Sequence, residues 1–426
     1  MKKIIKNVKL PNNGDKVNVV IENKKITQIT SNDIIKEIGD EVIDGKGNLL
    51  ISGFYNAHGH SAMTALRGYA DDLPLKEWLF EKIFPAEDRL TDEVVYNASM
   101  LAIAEMLASG TVAFSDMYFF MDQTARAVIE SGIKANLCRG FTSGPETDMK
   151  TDVRFMESKK LISDYNGYDD GRIIGEMCIH AEYTNSEHAV RAVAEYAKEN
   201  SFGIQLHASE TESEHRECKL RHGKTPMEWF ESLGVLDVPV TAAHCVWICD
   251  NDISIMAEKK VSAVHCPISN LKLASGIMRI NALLDSNVNV ALGTDGASSN
   301  NRLDMLREMQ TAAILHKGAN LDPTAMPANK IYEIATKNGA IAQRRYDCGE
   351  IAIGKRADLV LVNCDSLNNL PMYDAYSMLA YSASSSDVLM TMVDGEVLYQ
   401  NGEHKTIDIE KIKAEAKRTL KGFFSR

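Results

Sequence analysis

The chain has 426 residues, 45% apolar and 25% charged, with a formal charge of −12. That suits about two or three globular domains with sizeable cores, and it excludes a disordered chain or a small disulfide-stapled scaffold. The negative balance argues against a nucleic-acid backbone or an anionic membrane as main partner, and leaves a small ligand open.

The basic start MKKIIKNVKLPNNGDK has no apolar run behind it, so it does not read as a signal peptide. No stretch of about 18 apolar residues follows anywhere. A soluble cytoplasmic protein is expected. Residues 16–22, 25–30 and 41–44 read as short strands, with turns at Asn23-Lys24 and Gly45-Lys46-Gly47. From residue 49 the texture changes. Strand patterns at 49–56, 111–114, 134–139, 172–179, 203–207, 240–244, 261–266 and 288–295 alternate with helical ones, such as 187–198 and 301–315. Eight such units fit a (β/α)8 TIM barrel. A doubly wound sheet should show a Gly-rich phosphate turn after an early strand, and none is present. Strand texture returns at 358–363, 389–393 and 396–399, ahead of an amphipathic helix at 407–423. The expected α/β architecture is therefore a barrel over 55–345. Beside it stands a small discontinuous β-sandwich built from 1–54 and 346–426, the latter including the C-terminal helix. The eight cysteines are scattered and read as buried, reduced thiols.

The histidines carry the chemical signal. Of eleven, six fall at or near the ends of the expected barrel strands: His58, His60, His180, His207, His244 and His265. Asp295 ends the eighth. Barrel active sites sit on that face. His58 and His60 are two apart, so on a strand both point the same way. Alone that pair is weak evidence. Joined by His207 and Asp295, it forms an N/O set suited to Zn²⁺ or another divalent first-row metal. Glu210, in His-Ala-Ser-Glu, can reach over such a metal without binding it, while Glu212, Glu214 and Glu217 read as a solvated face. His244 reads either as a ligand in a two-metal site or as a hydrogen-bond donor beside the metal's water. Bridged two-metal barrels of this type need an anionic bridge, usually a carboxylated lysine on strand four. Residues 172–179 contain no lysine, which favours one metal. One metal lowers the pKa of its water. Glu210 can then protonate an electrophile while Asp295 takes the water's proton. The set suits hydrolytic attack on an unsaturated ring carbon with departure of an amine.

The stretches that carry these residues are Ile51-Ser52-Gly53-Phe54-Tyr55-Asn56-Ala57-His58-Gly59-His60, Leu206-His207-Ala208-Ser209-Glu210-Thr211, Ala243-His244-Cys245, the run from Cys266-Pro267 to Ser275-Gly276, and Gly293-Thr294-Asp295-Gly296. Together they resemble the amidohydrolase superfamily, in its deaminase and chlorohydrolase branch, over essentially the whole chain. Ser52 stands where that family usually has proline. Within the branch the chain is most similar to the 5-methylthioadenosine/S-adenosylhomocysteine deaminase family. The resemblance implies one Zn²⁺ per chain, with Fe²⁺, Mn²⁺ or Ni²⁺ as substitutes, held by His58, His60, His207 and Asp295. It implies Glu210 as the acid at nitrogen 1 of adenine and His244 as partner of the attacking water. Glu87 would hold the sugar, and Arg139 and His180 would be further substrate contacts. Some members carry a second arginine after the first; here Thr151 sits near that place and the nearest arginine is Arg154. Phe84 and Trp78 are candidates for the pocket mouth, and His265 has no matching role. The implied reaction is hydrolysis of adenine nucleosides (5-methylthioadenosine, S-adenosylhomocysteine or adenosine) to ammonia and the inosyl product. Guanine, cytosine or triazine hydrolysis would use the same metal set. A non-catalytic binding barrel should lack a ligand or the acid. The partner is thus a small nucleoside, with no nucleic acid and no membrane, and a homo-oligomer is expected.

Overall fold

The computed structural model describes residues 2–32, 34 and 40–424; the remaining positions of the two terminal segments lie outside the described residues. The first strands are β1 (Lys3–Leu10), β2 (Asn13–Glu22), β3 (Lys25–Thr30), β4 (Glu41–Asp44) and β5 (Leu49–Ser52). The middle of the chain supplies β6 (Phe54–Asn56), β7 (Gly59–His60), β8 (Thr111–Tyr118), β9 (Lys134–Arg139), β10 (Ile173–Gly175), β11 (Met177–Ile179), β12 (Ile204–Ala208), β13 (Val240–His244), β14 (Ser262–His265), β15 (Asn289–Leu292) and β16 (Asp295–Gly296). The end supplies β17 (Leu359–Val362), β18 (Val388–Val393), β19 (Glu396–Gln400) and β20 (Glu403–His404). β1 is not among the expected strands. Asn7 takes a left-handed backbone (φ 57°) and the register with β2 shifts between Ile5 and Val8, which hides the alternation.

Both chain ends meet in one sheet, ordered β20-β19-β18-β17-β5-β1-β2-β3, with β4 beside β1. β17 runs antiparallel to β5, pairing Leu359 with Ser52. Ile5, Val19, Ile26, Leu50 and Met392 fill a separate apolar core there. The expected strand at 49–56 divides at Gly53. Its first half joins the terminal sheet, and its second half pairs in parallel with β8. A Cβ at Gly53 would meet Val112 Cγ1 at 2.2 Å, so only glycine lets the chain cross that close to its neighbour.

The middle strands are parallel and alternate with helices, an α/β fold. They run β10-β9-β8-β6 and β11-β12-β13-β14-β15, with β7 paired to β16. The expected strand at 172–179 breaks into β10 and β11 at Glu176, whose N–H donates to the Leu137 carbonyl (3.0 Å). The last and first strands are joined as well. Ala57 N–H donates to Leu292 O (2.9 Å) and Asp295 N–H to His58 O (3.1 Å). Helices at Glu187–Asn200, Met305–Asn320 and Ile409–Phe424 match the expected ones. A buried cation ties the two sheet systems together: Lys134 Nζ lies 2.6 Å from Asp358 and 2.7 Å from Asp394. Among the described residues no helix is long and apolar enough to cross a membrane. The eight cysteines are free thiols, all buried except the half-buried Cys249.

Candidate metal and active site

Four strand ends deliver the predicted ligands to one place. His60 ends β7, with His58 just before it; His207 lies in β12, His244 ends β13 and Asp295 opens β16. Left-handed backbone at Ser209, His244 and Asp295 (φ 49°, 71° and 59°) turns the chain off each strand at the site. The His58 ring lies 4.9 Å from that of His60 and 4.8 Å from that of His207. Asp295 Oδ1 is 3.2 Å from His60 Nε2 and 3.5 Å from His58 Nε2. One ligand atom each from His58, His60 and Asp295 lie within 4.8 Å of one another, and so do those of His58, His207 and His244.

The donor set fits a divalent metal. His60 and His207 each donate Nδ1–H to a backbone carbonyl, of Met117 and His180 (both 2.6 Å), which turns Nε2 toward the cluster. Among the described residues His58 Nε2 is buried without a hydrogen-bond partner. Leaving such an atom unpaired costs about 1–3 kcal/mol. Burial lowers the His58 imidazole to about 4, so it stays neutral and able to ligate. Burial alone would raise Asp295, but the imidazoles of His58 and His60 beside its Oδ1 hold it well below the usual carboxylate range. Against burial, the same carboxylate lifts His60 to about 9.

Glu210 is buried beside this cluster. Ser275 Oγ donates to its Oε1 (3.2 Å), and its Oε2 lies 3.7 Å from His244 Nε2. Burial raises its carboxyl, favouring the form that carries a proton. His244 donates Nδ1–H to Asn270 Oδ1 (2.9 Å), which turns Nε2 toward the cavity.

That cavity is walled by apolar side chains such as Trp78, Leu79, Phe84 and Met117. Glu87 and His180 line it too. Glu87 ends a short helix, Phe84–Glu87, and its carboxyl is pushed up to about 7 by burial, partly offset by the Tyr118 hydroxyl and by His60. His180 shares a 3.0 Å hydrogen bond with Thr184, and its ring lies 4.8 Å from that of His207. Arg139 does not line the cavity. Its Nε donates to Glu157 (2.7 Å) and its guanidinium stands 5.0 Å over the Phe119 ring. Arg154 pairs with Asp152 (2.6 Å) and donates to Thr142, a cavity residue, at 3.3 Å. His265 turns away, to 3.0 Å from His316 Nε2.

Glu214 is a correction. It reads as solvated in the sequence, yet it is 6% exposed. Its carboxylate accepts from the Ser209 and Glu210 N–H groups (2.8 and 2.7 Å). The spacing from Thr211 to Glu214 is that of a capping box, a signal that could have separated it from its acidic neighbours. Ser269 and Ser299, which bond Asp295 Oδ2 at 2.6 and 2.8 Å, carry no such signal.

A parallel α/β sheet with His, His, His and Asp at its strand ends defines the class of protein. The chain belongs to the amidohydrolase family, whose model matches residues 49–398. It is 44% identical to the 5'-deoxyadenosine deaminase of Methanosarcina acetivorans over 418 residues, 98% of this chain and 96% of that one. It is 46% identical to the 5-methylthioadenosine/S-adenosylhomocysteine deaminase of Moorella thermoacetica, covering 90% and 89%. Among solved structures it is similar to an adenosine deaminase from Xanthomonas campestris with bound zinc, at TM-score 0.92 and 32% identity, covering 100% and 98%.

Proposed function

We propose that this protein is a metal-dependent hydrolytic deaminase of adenine nucleosides, acting on 5-methylthioadenosine, S-adenosylhomocysteine or related 5'-modified adenosines. The observation that carries the reading is the buried Glu210 carboxyl, 3.7 Å from His244 Nε2, beside the His-His-His-Asp cluster in one cavity. The names of the relatives point the same way. In this reading His58, His60, His207 and Asp295 hold one divalent ion, zinc or in its place Fe²⁺, Mn²⁺ or Ni²⁺. When bound, the ion supplies an acidified water at neutral pH. Glu210 gives its proton to nitrogen 1 of adenine, which makes carbon 6 electrophilic. His244 orients the attacking water, and Asp295 receives a proton from it and passes that proton to the amino group, so that the bond from carbon 6 to nitrogen breaks and ammonia leaves. Glu87 accepts from the sugar hydroxyls, His180 borders the base, and Arg139 reaches substrate only by leaving Glu157.

The architectural part of the reading is a closed (β/α)8 barrel over 55–345 with a β-sandwich from 1–54 and 346–426. The bonds from Ala57 to Leu292 and from Asp295 to His58 support closure. The reading also includes a homo-oligomer working in the cytoplasm. The test is ammonia release by the metal-loaded protein from 5-methylthioadenosine, S-adenosylhomocysteine, 5'-deoxyadenosine, adenosine and guanine. Turnover of 5'-modified adenosines above guanine is expected; preference for guanine would overturn the assignment.

A further inference from the structure

We infer that Glu214 is a positioning residue that aims Glu210, an inference that rests on reading Glu210 as the acid. β12 ends at Ala208 and the next helix begins at Glu212, capped by the Thr211 side chain. Between them the chain must reverse, and Ser209 does so in the left-handed region, which costs a non-glycine residue strain. The Ser209 and Glu210 N–H groups fall outside both the strand ladder and the helix. Buried and unpaired, they would cost free energy and leave the turn free to relax. Glu214, one turn into the helix, takes both: Oε1 accepts from Ser209 (2.8 Å) and Oε2 from Glu210 (2.7 Å). A carboxylate gripping two successive N–H groups fixes the orientation of the peptide between them, and with it the direction in which the Glu210 side chain leaves the backbone.

The other side of the turn is pinned too. The Ser209 carbonyl accepts from Val246 (3.1 Å) and Trp247 (2.9 Å), in the segment that follows His244 on β13. Glu214 therefore holds Glu210 in register with His244, although it does not line the main cavity. Proton transfer requires such registration, and a misplacement of about 1 Å can cost roughly a hundredfold in rate.

The test is a double-mutant cycle on the metal-loaded full chain with 5-methylthioadenosine. Glu214→Gln keeps the size but offers one acceptor where two are needed and turns an NH₂ toward a backbone N–H. It should lower kcat by about 10- to 100-fold, with KM changed little and one metal per chain retained. In the Glu210→Gln background the same change should cost nothing further, because there is no acid left to aim. Equal fractional losses in both backgrounds would mean that Glu214 only supports the fold, and a normal kcat in Glu214→Gln would mean the grip is not used. Either result overturns the inference while leaving Glu210 as the acid. Near-normal turnover in Glu210→Gln alone would overturn both readings. Metal content and thermal unfolding are measured on each variant. Should Glu214→Gln not fold, Glu214→Asp, too short to reach both N–H groups, carries the same cycle.

Discussion

The Ser269 hydroxyl donates to Asp295 Oδ2 at 2.6 Å and thereby decides which carboxylate oxygen faces the histidines. With Ser299 on the same oxygen, Oδ1 alone is left toward His58 and His60. Outer partners of metal ligands typically matter by about 10- to 100-fold in affinity. The double variant Ser269→Ala, Ser299→Ala should weaken zinc binding by that much in a chelator competition. Unchanged affinity would show that Asp295 is oriented by the backbone alone.

Metal stoichiometry follows from the strand that lacks a lysine. Elemental analysis should find one tightly held divalent ion per active chain, and chelation should abolish ammonia release. Returning the ion at a hundred times its Kd should stabilise the fold by about 2.7 kcal/mol, read as a rise in Tm. Two tightly held ions per active chain would contradict the single-metal arrangement.

In the proposed reading Glu87 separates nucleosides from free bases. Hydrogen bonds to charged groups contribute about 1.5–3 kcal/mol each. Glu87→Ala should therefore lower kcat/KM on 5-methylthioadenosine by about 10- to 100-fold or more, and barely touch any turnover of a free purine. An equal loss on both would make it a wall residue.

The same carboxyl also predicts a pH dependence. Burial pushes Glu87 up to about 7, so the ionised acceptor predominates only above that pH. kcat/KM for the nucleoside should fall as pH drops through about 7. Glu87→Gln, which cannot titrate, should lack that inflection while keeping any others.

Anionic substrates meet the wrong field. Glu87 lines the cavity as a carboxylate that neither carries the catalytic proton, as Glu210 does in this reading, nor faces the metal, as Asp295 does, and no lysine or arginine lines it among the described residues. At about 4 Å and an effective dielectric of about 20, a like-charge pair costs roughly 4 kcal/mol. A 5'-phosphate of adenosine should be deaminated at least about 100-fold less efficiently than 5'-deoxyadenosine. Comparable kcat/KM values would mean that Arg139 or Arg154 leaves its partner to receive the phosphate.

The candidate metal cluster was legible in the sequence because metal chemistry limits residue types and because strand ends in a parallel sheet all open on one face. Those two rules singled out His58, His60, His207 and Asp295 together with other strand-end histidines, and the family resemblance chose among them. Glu214 was legible only as the last residue of a capping-box spacing, not as a group that reaches back to the turn before it. It stands among Glu210, Glu212 and Glu217, and only the backward turn at Ser209 brings two unpaired N–H groups to it. Arg139 was placed correctly at a strand end, but the direction of its side chain is set by Glu157 on a separate helix. In the fold, the apolar run at 49–56 conceals a change of sheet marked by a single glycine, and the bulge in β1 erased the period that would have revealed a strand.

Lys134 answers to two aspartates at once, and Asp358, Asp394 and the lysine itself are almost wholly out of solvent. Removing one partner of a buried ion pair typically costs about 3–5 kcal/mol. Lys134→Met should lower stability by that order in urea unfolding, with kcat of the remaining folded enzyme unchanged. A loss confined to activity would be inconsistent with a purely architectural role.

The pairing of Leu359 with Ser52 has a consequence for how the chain is made. On the ribosome, β5 emerges early and its β17 neighbour emerges only after the whole metal-binding portion. Closing so long a loop is slow, and until it closes β5 shows an open edge of unpaired backbone groups. Such an edge is a template for strands of other nascent copies. A chain truncated just before residue 359 would contain every candidate metal and catalytic residue, and it should nonetheless accumulate as aggregate.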